Sequence, residues 1–507
     1  MMTNNALKRI IIGVLGLIGA GIVLLLTYRH GSGITPDSVS YISAARNLSE
    51  GKGFLTYNGE YLVFQPPLYS MILALIKITL STDPIISAGY VNAILFGLIV
   101  FISGLLFLNH LKSFILVVLG TGSLLISFAI VQSSLMTLSE PLFIFILLMF
   151  LFYIEVYQNE HNIYSLVLIS VFGALACLTR YTGIIIILTG LISIFIWSRI
   201  ALKEKIKHSF FFLLITCLPI SIWCIRNYFI SGTLVGQRAQ SSYTLVDNLK
   251  FYYNTILSWF LPVNLVSPYL IIILLIFFWM FLELDLSNTS GKDGIKLIGP
   301  SFIFIVLYSA VIVISSTTTA YDYISNRLLC PIYIPIIYIL FLLADKIHQW
   351  LAKYLPKLFV TALLGIGIIL MMKYPYINTK YFINEFIDQS GYEYSCSQWR
   401  NSETIRFVAE QKQLCKEYNL YSNAPEAIYI LANIYSRFSP TKTFYNSPQL
   451  YKNQKQIDMW KNDDKVCLIW FDKIRRNFLF SIDELQKDKK ITEEVQLNDG
   501  KIFLISK

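Results

Sequence analysis

The sequence is poor in charged residues, cysteine and histidine, and each shortage excludes a class of protein. Only 14% of its 507 residues are charged, against about 25% in soluble globular proteins, which excludes a water-soluble enzyme of this size. Seven cysteines are too few for a disulfide-rich scaffold. Apolar residues are abundant: 55% of the chain is hydrophobic and the mean hydropathy is +0.59. Such a composition excludes a disordered chain and indicates a membrane protein.

The charged residues are concentrated near the C-terminus. Residues 374–507 hold 19 Lys/Arg and 17 Asp/Glu, a density almost three times that of residues 1–373. We therefore predict a polytopic α-helical membrane domain over 1–373 and a small α/β domain over 374–507. In the second domain, ETIRFVAEQKQLCKEY has helical spacing, and KVCLIWF and KIFLISK are typical of buried strands. The turn at Lys473–Arg476 is predicted to be solvated.

About 20 mostly apolar residues are needed to cross a bilayer as a helix, and eleven runs approach this length. They lie near residues 10–27, 85–108, 113–131, 139–157, 163–178, 182–198, 208–229, 262–282, 297–314, 328–344 and 358–372. With the N-terminus in the cytoplasm, the inner segments hold 12 Lys/Arg in 54 residues and the outer segments 8 in 112. The positive-inside rule then places the C-terminal domain outside the bacterial cytoplasmic membrane.

The first outer loop, 28–84, is too long for a simple connection. Within it, SVSYISAARNL has apolar or small residues at every third position, which predicts an amphipathic helix on the membrane surface. The later stretch PPLYSMILALIKITL is apolar but short, which favours an interfacial or re-entrant segment.

Two acidic residues begin helices on the outer side. Asp37 follows Ile34-Thr35-Pro36, and Glu140 follows Thr137-Leu138-Ser139. Both fit ordinary helix-start chemistry, with Asp37 as an N-cap and Glu140 in a first turn. Acids held near membrane depth are also expensive and tend to be functional. The alternative is therefore that Asp37 is a general base at the lip of a membrane cavity, with Glu140 close to it.

Three arginines lie at the outer ends of predicted spans, although the positive-inside rule disfavours arginine there. Arg180, Arg226 and Arg327 could each be a snorkelling side chain, but together they suit an outward-facing phosphate pocket. Tyr41 and Tyr69, in the first outer loop, complete the predicted substrate-binding set. His30 is the only histidine predicted on the outer side, which disfavours a Ser-His hydrolase or a His-rich zinc site there. Phosphate-loop, dinucleotide and zinc-module motifs are missing from the sequence.

Of the cysteines, Cys396, Cys415 and Cys467 fall in the predicted outer domain. Two of them could pair in an oxidising compartment, and the sequence leaves the pairing open.

Several motifs, in this order, resemble the GT-C glycosyltransferases, in particular the bacterial branch with protein O-mannosyltransferase-like and aminoarabinose-transferase-like members. They are PDSVSYISAARNLSEGKGF, QPPLYSMILAL, LSEPLF, LTRYTG, LPISIWCIRNYFISGTLVG and NRLLCPIYIP, followed in the tail by QWRNSETIRFV and LYSNAPEAIYILANIYSRFSP. The resemblance implies a polyprenyl-phosphate-sugar donor, a glycan, lipid or protein acceptor, and no nucleic-acid partner. It matches Asp37 to the family's first-loop aspartate, which acts as a base or in a metal-assisted site, and Glu140 to the acid of the second outer loop. The family often has two adjacent acids at the first position, whereas Ser38 follows Asp37 here, so a divalent cation stays an open possibility.

We therefore expect an enzyme that moves a sugar from a lipid phosphate to an outer acceptor with inversion. Asp37 would deprotonate the acceptor hydroxyl, and the arginines would stabilise the departing phosphate. The alternatives are a transporter or lipid-linked-sugar flippase, which would place ionisable residues at mid-membrane, and a non-catalytic assembly factor that binds through the tail.

Overall fold

Long apolar helices build the first three quarters of the chain. The computed structural model describes residues 2–261, 295–411, 417–450, 459–486 and 490–506. The helices of the membrane part are α1 (Met2–His30), α2 (Pro36–Ser49), α3 (Leu68–Leu80), α4 (Pro84–His110), α5 (Phe114–Leu125), α6 (Phe128–Leu135), α7 (Glu140–Glu160), α8 (Ile163–Thr179), α9 (Ile184–Trp197), α10 (Leu202–Ser231), α11 (Leu245–Ser258), α12 (Ile295–Thr318), α13 (Asn326–Leu351) and α14 (Lys357–Asp388). A single 3₁₀ turn, Tyr181–Gly183, joins α8 to α9.

Seven of the described helices are long and apolar enough to cross a membrane, which confirms a multi-pass helical membrane protein. The predicted span 113–131 differs from the structure, because α5 and α6 are two helices bent by 46° at a short break. Counted as one span, this pair gives eight. Three further apolar helices, α3, α8 and the segment 181–197, are shorter, and the predicted span 262–282 lies outside the described residues. The total of eleven spans stays a prediction.

Close helix packing begins at the N-terminus, where α1 lies along α4. A Cβ atom added at Gly97 would lie 2.9 Å from the Cβ of Ala20 and 2.9 Å from the carbonyl oxygen of Gly16. Only a hydrogen at this position lets the two backbones approach so closely, as is usual between membrane helices. The first outer loop therefore begins and ends at two helices that pack closely against each other.

The C-terminal region forms a five-stranded sheet with short helices. Its strands are β1 (Asn419–Ser422), β2 (Arg437–Phe438), β3 (Lys465–Phe471), β4 (Lys490–Gln496) and β5 (Gly500–Ser506), and its helices are α15 (Ser397–Arg400), α16 (Glu403–Glu410), α17 (Pro425–Ala432) and α18 (Ile482–Gln486). The strand order is β2-β1-β3-β5-β4; β1 runs parallel to β2 and β3, and β5 is antiparallel to β3 and β4. Both predicted strands and the first half of the predicted helix are therefore confirmed.

The first outer loop connects the two parts of the molecule. The predicted helix is present as α2, but eight of its 14 residues are buried, so it is an internal element. Tyr41 and Ala45 belong to the core of the membrane bundle, whereas Val39 and Ile42 share an apolar cluster with the C-terminal sheet. Helix α14 also runs without interruption through the predicted domain boundary at 373/374. The division into two domains stays a prediction.

Two predictions about the C-terminal region have different outcomes. Arg476, expected in a solvated turn, points inward and forms a two-pronged ion pair with Glu426 at 3.0 and 3.1 Å. It also donates to the hydroxyl of Tyr394 at 3.1 Å, so the turn is anchored to α17. Cys396 and Cys467 are both buried. Cys415 lies outside the described residues, so the disulfide pairing stays a prediction.

Candidate active site

The position of Asp37 is set by the short extended segment that precedes α2. Gly33 pairs with Met136 and Ile34 with Glu393 in single parallel bridges, so this segment is held between the start of α7 and the tail. A Cβ at Gly33 would lie 3.1 Å from Met136 and 3.2 Å from Tyr392, which explains the glycine. The first turn of α2 therefore has a fixed place between the two halves of the molecule.

Asp37 does not cap its own helix. The N-cap of α2 is Thr35, whose side chain accepts from the backbone N–H of Ser38 in a capping box, and Pro36 occupies the first helical position. The interpretation of Asp37 as an N-cap is therefore wrong. Because Thr35 satisfies the helix end, the Asp37 carboxylate two residues later is available for other partners.

Those partners are a glutamine and an arginine. Gln65 Nε2 donates to Asp37 Oδ1 at 3.2 Å, and Arg327 Nη2 donates to Asp37 Oδ2. The Asp37 side chain keeps 36% of its surface exposed, so it can be reached from outside. Burial acts to raise the pKa of Asp37, but the nearby Arg327 guanidinium outweighs burial and holds the pKa below its ordinary value.

Glu140 lies deeper, and its side chain has no exposed surface. Its Oε1 atom is 2.6 Å from Arg180 Nη1 and 3.0 Å from Arg327 Nε. One buried carboxylate therefore holds two guanidinium groups side by side. Without it they would repel each other across a short gap.

Arg327 joins these groups into one network. Its guanidinium contacts Asp37 and Glu140, and its Nη1 lies 3.7 Å from Asp322 Oδ2. Asp322 in turn accepts a 2.6 Å hydrogen bond from Tyr445 of the C-terminal region. We call Asp37, Glu140, Arg180 and Arg327 the charged cluster. It joins the starts of α2, α7 and α13 with the end of α8, at one end of the bundle.

Tyr41 and Tyr69 lie on the interior side of the charged cluster. The Tyr41 hydroxyl is 3.0 Å from Ser139 Oγ, and Arg180 Nη1 also donates to Ser139 at 3.4 Å. Tyr69 donates to Asn92 at 3.3 Å. The two rings meet edge to face at 5.2 Å, and Tyr41 is 4% and Tyr69 0% exposed. Substrate contact by either ring would therefore require a rearrangement.

Arg226 is not part of the charged cluster. It donates to the carbonyl of Leu62 at 2.9 Å, and its guanidinium lies 4.3 Å from the ring centroid of Trp223 and 5.4 Å from that of Phe54. Tyr181 donates to the next carbonyl, that of Val63, at 2.7 Å. These contacts hold the two residues Leu62 and Val63, which precede Gln65 in the first outer loop.

Gln65 is the contact that sequence reasoning missed. It stands in the QPPLY motif, and the following proline pair stiffens the chain just after it. A polar side chain immediately before such a rigid turn, in a loop that also carries the candidate base, is the signal that could have indicated it.

A divalent cation does not fit between the two acids. In the ranges that the structure describes, no three His, Cys, Asp or Glu side chains are grouped so as to hold a metal ion. Arg327 bonds both Asp37 and Glu140, so a guanidinium lies where a shared cation would have to bind. Ser38, next to Asp37, points back to its helix cap. We therefore derive no step through a metal.

Comparison with solved structures now defines the class of fold. The chain has the fold that the sequence motifs predicted, since it shares that fold with solved structures of ArnT and of an oligosaccharyltransferase. It is similar to ArnT from Cupriavidus metallidurans, with a TM-score of 0.60, 11% identity and 97% of each chain covered. The structure of that protein bound to undecaprenyl phosphate gives a TM-score of 0.56, 12% identity and the same coverage.

A second similar structure is the Archaeoglobus fulgidus oligosaccharyltransferase in complex with zinc and sulfate. It has a TM-score of 0.54 and 11% identity, with 96% of this chain and 72% of that chain covered. No family model and no curated protein matches the sequence.

Proposed function

We propose that the protein is an integral-membrane glycosyltransferase that moves a sugar from a polyprenyl-phosphate carrier to an acceptor, with inversion at the sugar carbon. The observation that carries the proposal is the charged cluster: a reachable carboxylate beside two arginines at one end of a GT-C bundle. The acceptor is a glycan, lipid or protein, and the carrier lies in the surrounding bilayer. The ArnT neighbour was solved with undecaprenyl phosphate bound, which supports this class of donor.

Arg327 and Asp37 divide the chemistry between them. A sugar on a lipid phosphate leaves behind an anion, and guanidinium groups stabilise that charge where it develops. When the donor phosphate binds, Arg327 moves from Asp37 to the phosphate. The freed Asp37 oxygen then accepts the proton of the acceptor hydroxyl, which attacks the sugar carbon as the carbon–phosphate-oxygen bond breaks. Because Asp37 has a lowered pKa, it is ionised before the acceptor arrives.

Glu140 has a positioning role in this scheme. Its side chain is completely buried and is already bonded to Arg180 and Arg327, so it keeps two like charges together at one carboxylate oxygen. Tyr41 and Ser139 support Arg180 from the interior side, and Tyr69 packs against Tyr41. The two tyrosines thus shape the site without contacting the reacting atoms.

The location follows from charge distribution. The excess of Lys/Arg in the predicted inner segments supports a cytoplasmic N-terminus in a bacterial cytoplasmic membrane. The charged cluster and the region 374–507 then face the outside, where the acceptor is met. Residues 374–507 form the outer domain, and α14 enters it as a continuous helix.

The test is a transfer assay with the purified protein, a panel of radiolabelled polyprenyl-phosphate sugars and membrane extract. Labelled product is expected from one donor, and Asp37→Asn should reduce its formation on the order of 10²–10⁴-fold because the base is lost. Asp388→Asn, the same change at an exposed position on α14, is the matched control and should be active. Full activity of Asp37→Asn with an intact fold would contradict the assignment of the base.

Transport remains the competing function, and the same preparation decides between the two. In proteoliposomes, a flippase would move the lipid-linked sugar between leaflets and form no labelled product. A transferase forms product in detergent, where no leaflets exist. The candidate charges lie in the first turns of α7 and α13 rather than at span centres, which favours the transferase.

A further inference from the structure

A cavity lies on the side of α2 away from Asp37. It has a volume of about 400 Å³, within the range of small-molecule sites. Its walls come from the last turn of α2 and the residues after it, from the α3–α4 junction, and from the region around the end of α17. Arg46 follows Asp37 by nine residues, which is about 14 Å along a helix and about half a turn away from it. The cavity is therefore separate from the charged cluster.

The charged groups in the cavity form ion pairs that leave one positive charge in excess. Arg46 forms a two-pronged ion pair with Asp83, with both distances 2.9 Å. Glu50 forms ion pairs with two lysines, with its carboxylate oxygens 2.9 Å from Lys52 Nζ and 3.1 Å from Lys77 Nζ. Three cations thus face two anions, so the cavity presents both donors and acceptors with little net charge. A strongly anionic ligand such as a pyrophosphate would find few unpaired cations here.

Aromatic and amide side chains supply the rest of the lining. The rings of Tyr429 and Tyr435 meet edge to face at 5.5 Å, and the Arg46 guanidinium lies 5.5 Å from the centroid of Tyr429. Tyr435 is 50% exposed, so part of its ring is open to a ligand. Asn433, in the left-handed conformation at the end of α17, presents its exposed side chain at the rim.

We propose that this cavity binds a neutral oligosaccharide, the glycan part of the acceptor or of the product. A sugar ring has apolar C–H faces that pack on an aromatic ring, and hydroxyl groups that both donate and accept hydrogen bonds. The lining offers aromatic rings, donors and acceptors, with only one positive charge in excess. The role as an acceptor site rests on the proposed transferase function, whereas binding itself does not.

The experiment measures binding to the full chain in phosphatidylcholine nanodiscs, which avoid detergents with sugar headgroups. The probes are maltopentaose, chitopentaose and mannopentaose, each titrated by calorimetry. At least one is expected to bind. Tyr435→Ala should weaken that binding about tenfold, which corresponds to about 1.4 kcal/mol. Tyr354→Ala, at a 73% exposed tyrosine after α13, is the matched control and should bind like the parent.

The titrations can overturn the proposal in the following ways. No binding of any probe, or equal binding to the Tyr435→Ala variant, overturns the proposal. Nanodiscs that contain phosphatidylglycerol provide a further test. If this lipid displaces the oligosaccharide, and if the displacement is lost in the Lys52→Ala and Lys77→Ala variants, the cavity is a lipid headgroup site and the proposal is overturned. Asp37→Asn should bind the oligosaccharide unchanged. If the oligosaccharide binds but no donor supports transfer, the proposed transferase function is refuted and the proposed binding site stands. If transfer occurs but no oligosaccharide binds, the binding site is refuted and the transferase function stands.

Discussion

Replacing Glu140 by glutamine tests the physical basis of the charged cluster. The substitution keeps the size of the side chain and removes the one buried anion that Arg180 and Arg327 share at 2.6 and 3.0 Å. Arginine cannot release its proton to compensate, and Glu140 is completely buried. Removing one partner of a buried ion pair typically costs about 3–5 kcal/mol. Part of this cost should appear as lower stability and part as lower activity, because the two guanidinium groups separate.

The matched control is Glu155→Gln on the same helix. Glu155 pairs with His110 at 2.7 Å and its side chain is 17% exposed. Histidine can become neutral and still hydrogen-bond an amide, so this change should cost about 1 kcal/mol or less. Unfolding of the purified proteins, followed by tryptophan fluorescence in detergent, gives the stability difference. The transfer assay should show Glu140→Gln slowed about 10²-fold if about 3 kcal/mol is lost from the transition state. If the two variants were equally stable and equally active, the idea of a shared buried anion would be refuted.

Three further predictions concern Asp37, Gln65 and Arg226. Because the pKa of Asp37 is lowered while Arg327 contacts it, its carboxylate is ionised throughout pH 5–7 in the free protein. The kcat/KM for the donor should therefore show no acid limb in that interval, and a fall there would contradict the assignment of Asp37 as the base. Gln65→Ala removes one of the hydrogen bonds that lower this pKa, so any acid limb should move to higher pH, and an unchanged profile would remove Gln65 from the site. Arg226→Lys loses the planar stack on Trp223 and should cost about 1 kcal/mol, seen as faster tryptic cleavage of the first outer loop, with donor binding retained. If the variant were cleaved at the wild-type rate, Arg226 would not stabilise this loop through its contacts with Trp223 and the Leu62 carbonyl.

Local pattern was enough to indicate that Asp37 and Glu140 begin helices. Glu140 directly follows Ser139 ahead of an apolar run, and Asp37 follows Thr35-Pro36 at the start of a stretch with helical spacing. The strands at KVCLIWF and KIFLISK were also predictable, because four consecutive positions of β3 are buried and such continuous apolar runs suit an inner strand.

Side-chain partners were harder to predict, because they depend on distant contacts. Arg226 and Arg327 have similar settings in sequence, at outer span ends, yet one stacks on aromatic rings and the other bonds both acids. Arg476 was assigned to solvent because its neighbours are basic, whereas Glu426, 50 residues earlier, draws it inward. The break between α5 and α6 was missed because its two residues, Ile126 and Ser127, include no glycine or proline that would mark it.

The sequence by itself determined that the chain is a multi-pass membrane protein, since apolar content is additive along the chain and needs no knowledge of neighbours. It also indicated Asp37 as the candidate base and three arginines as candidate phosphate ligands. Only the tertiary structure decided which arginines meet which acids, that α2 is buried on two sides, and that a tyrosine-lined cavity of low net charge lies behind it. Those facts depend on pairings between residues tens to hundreds of positions apart, and short-range ion pairs and ring contacts leave no periodic trace in the sequence.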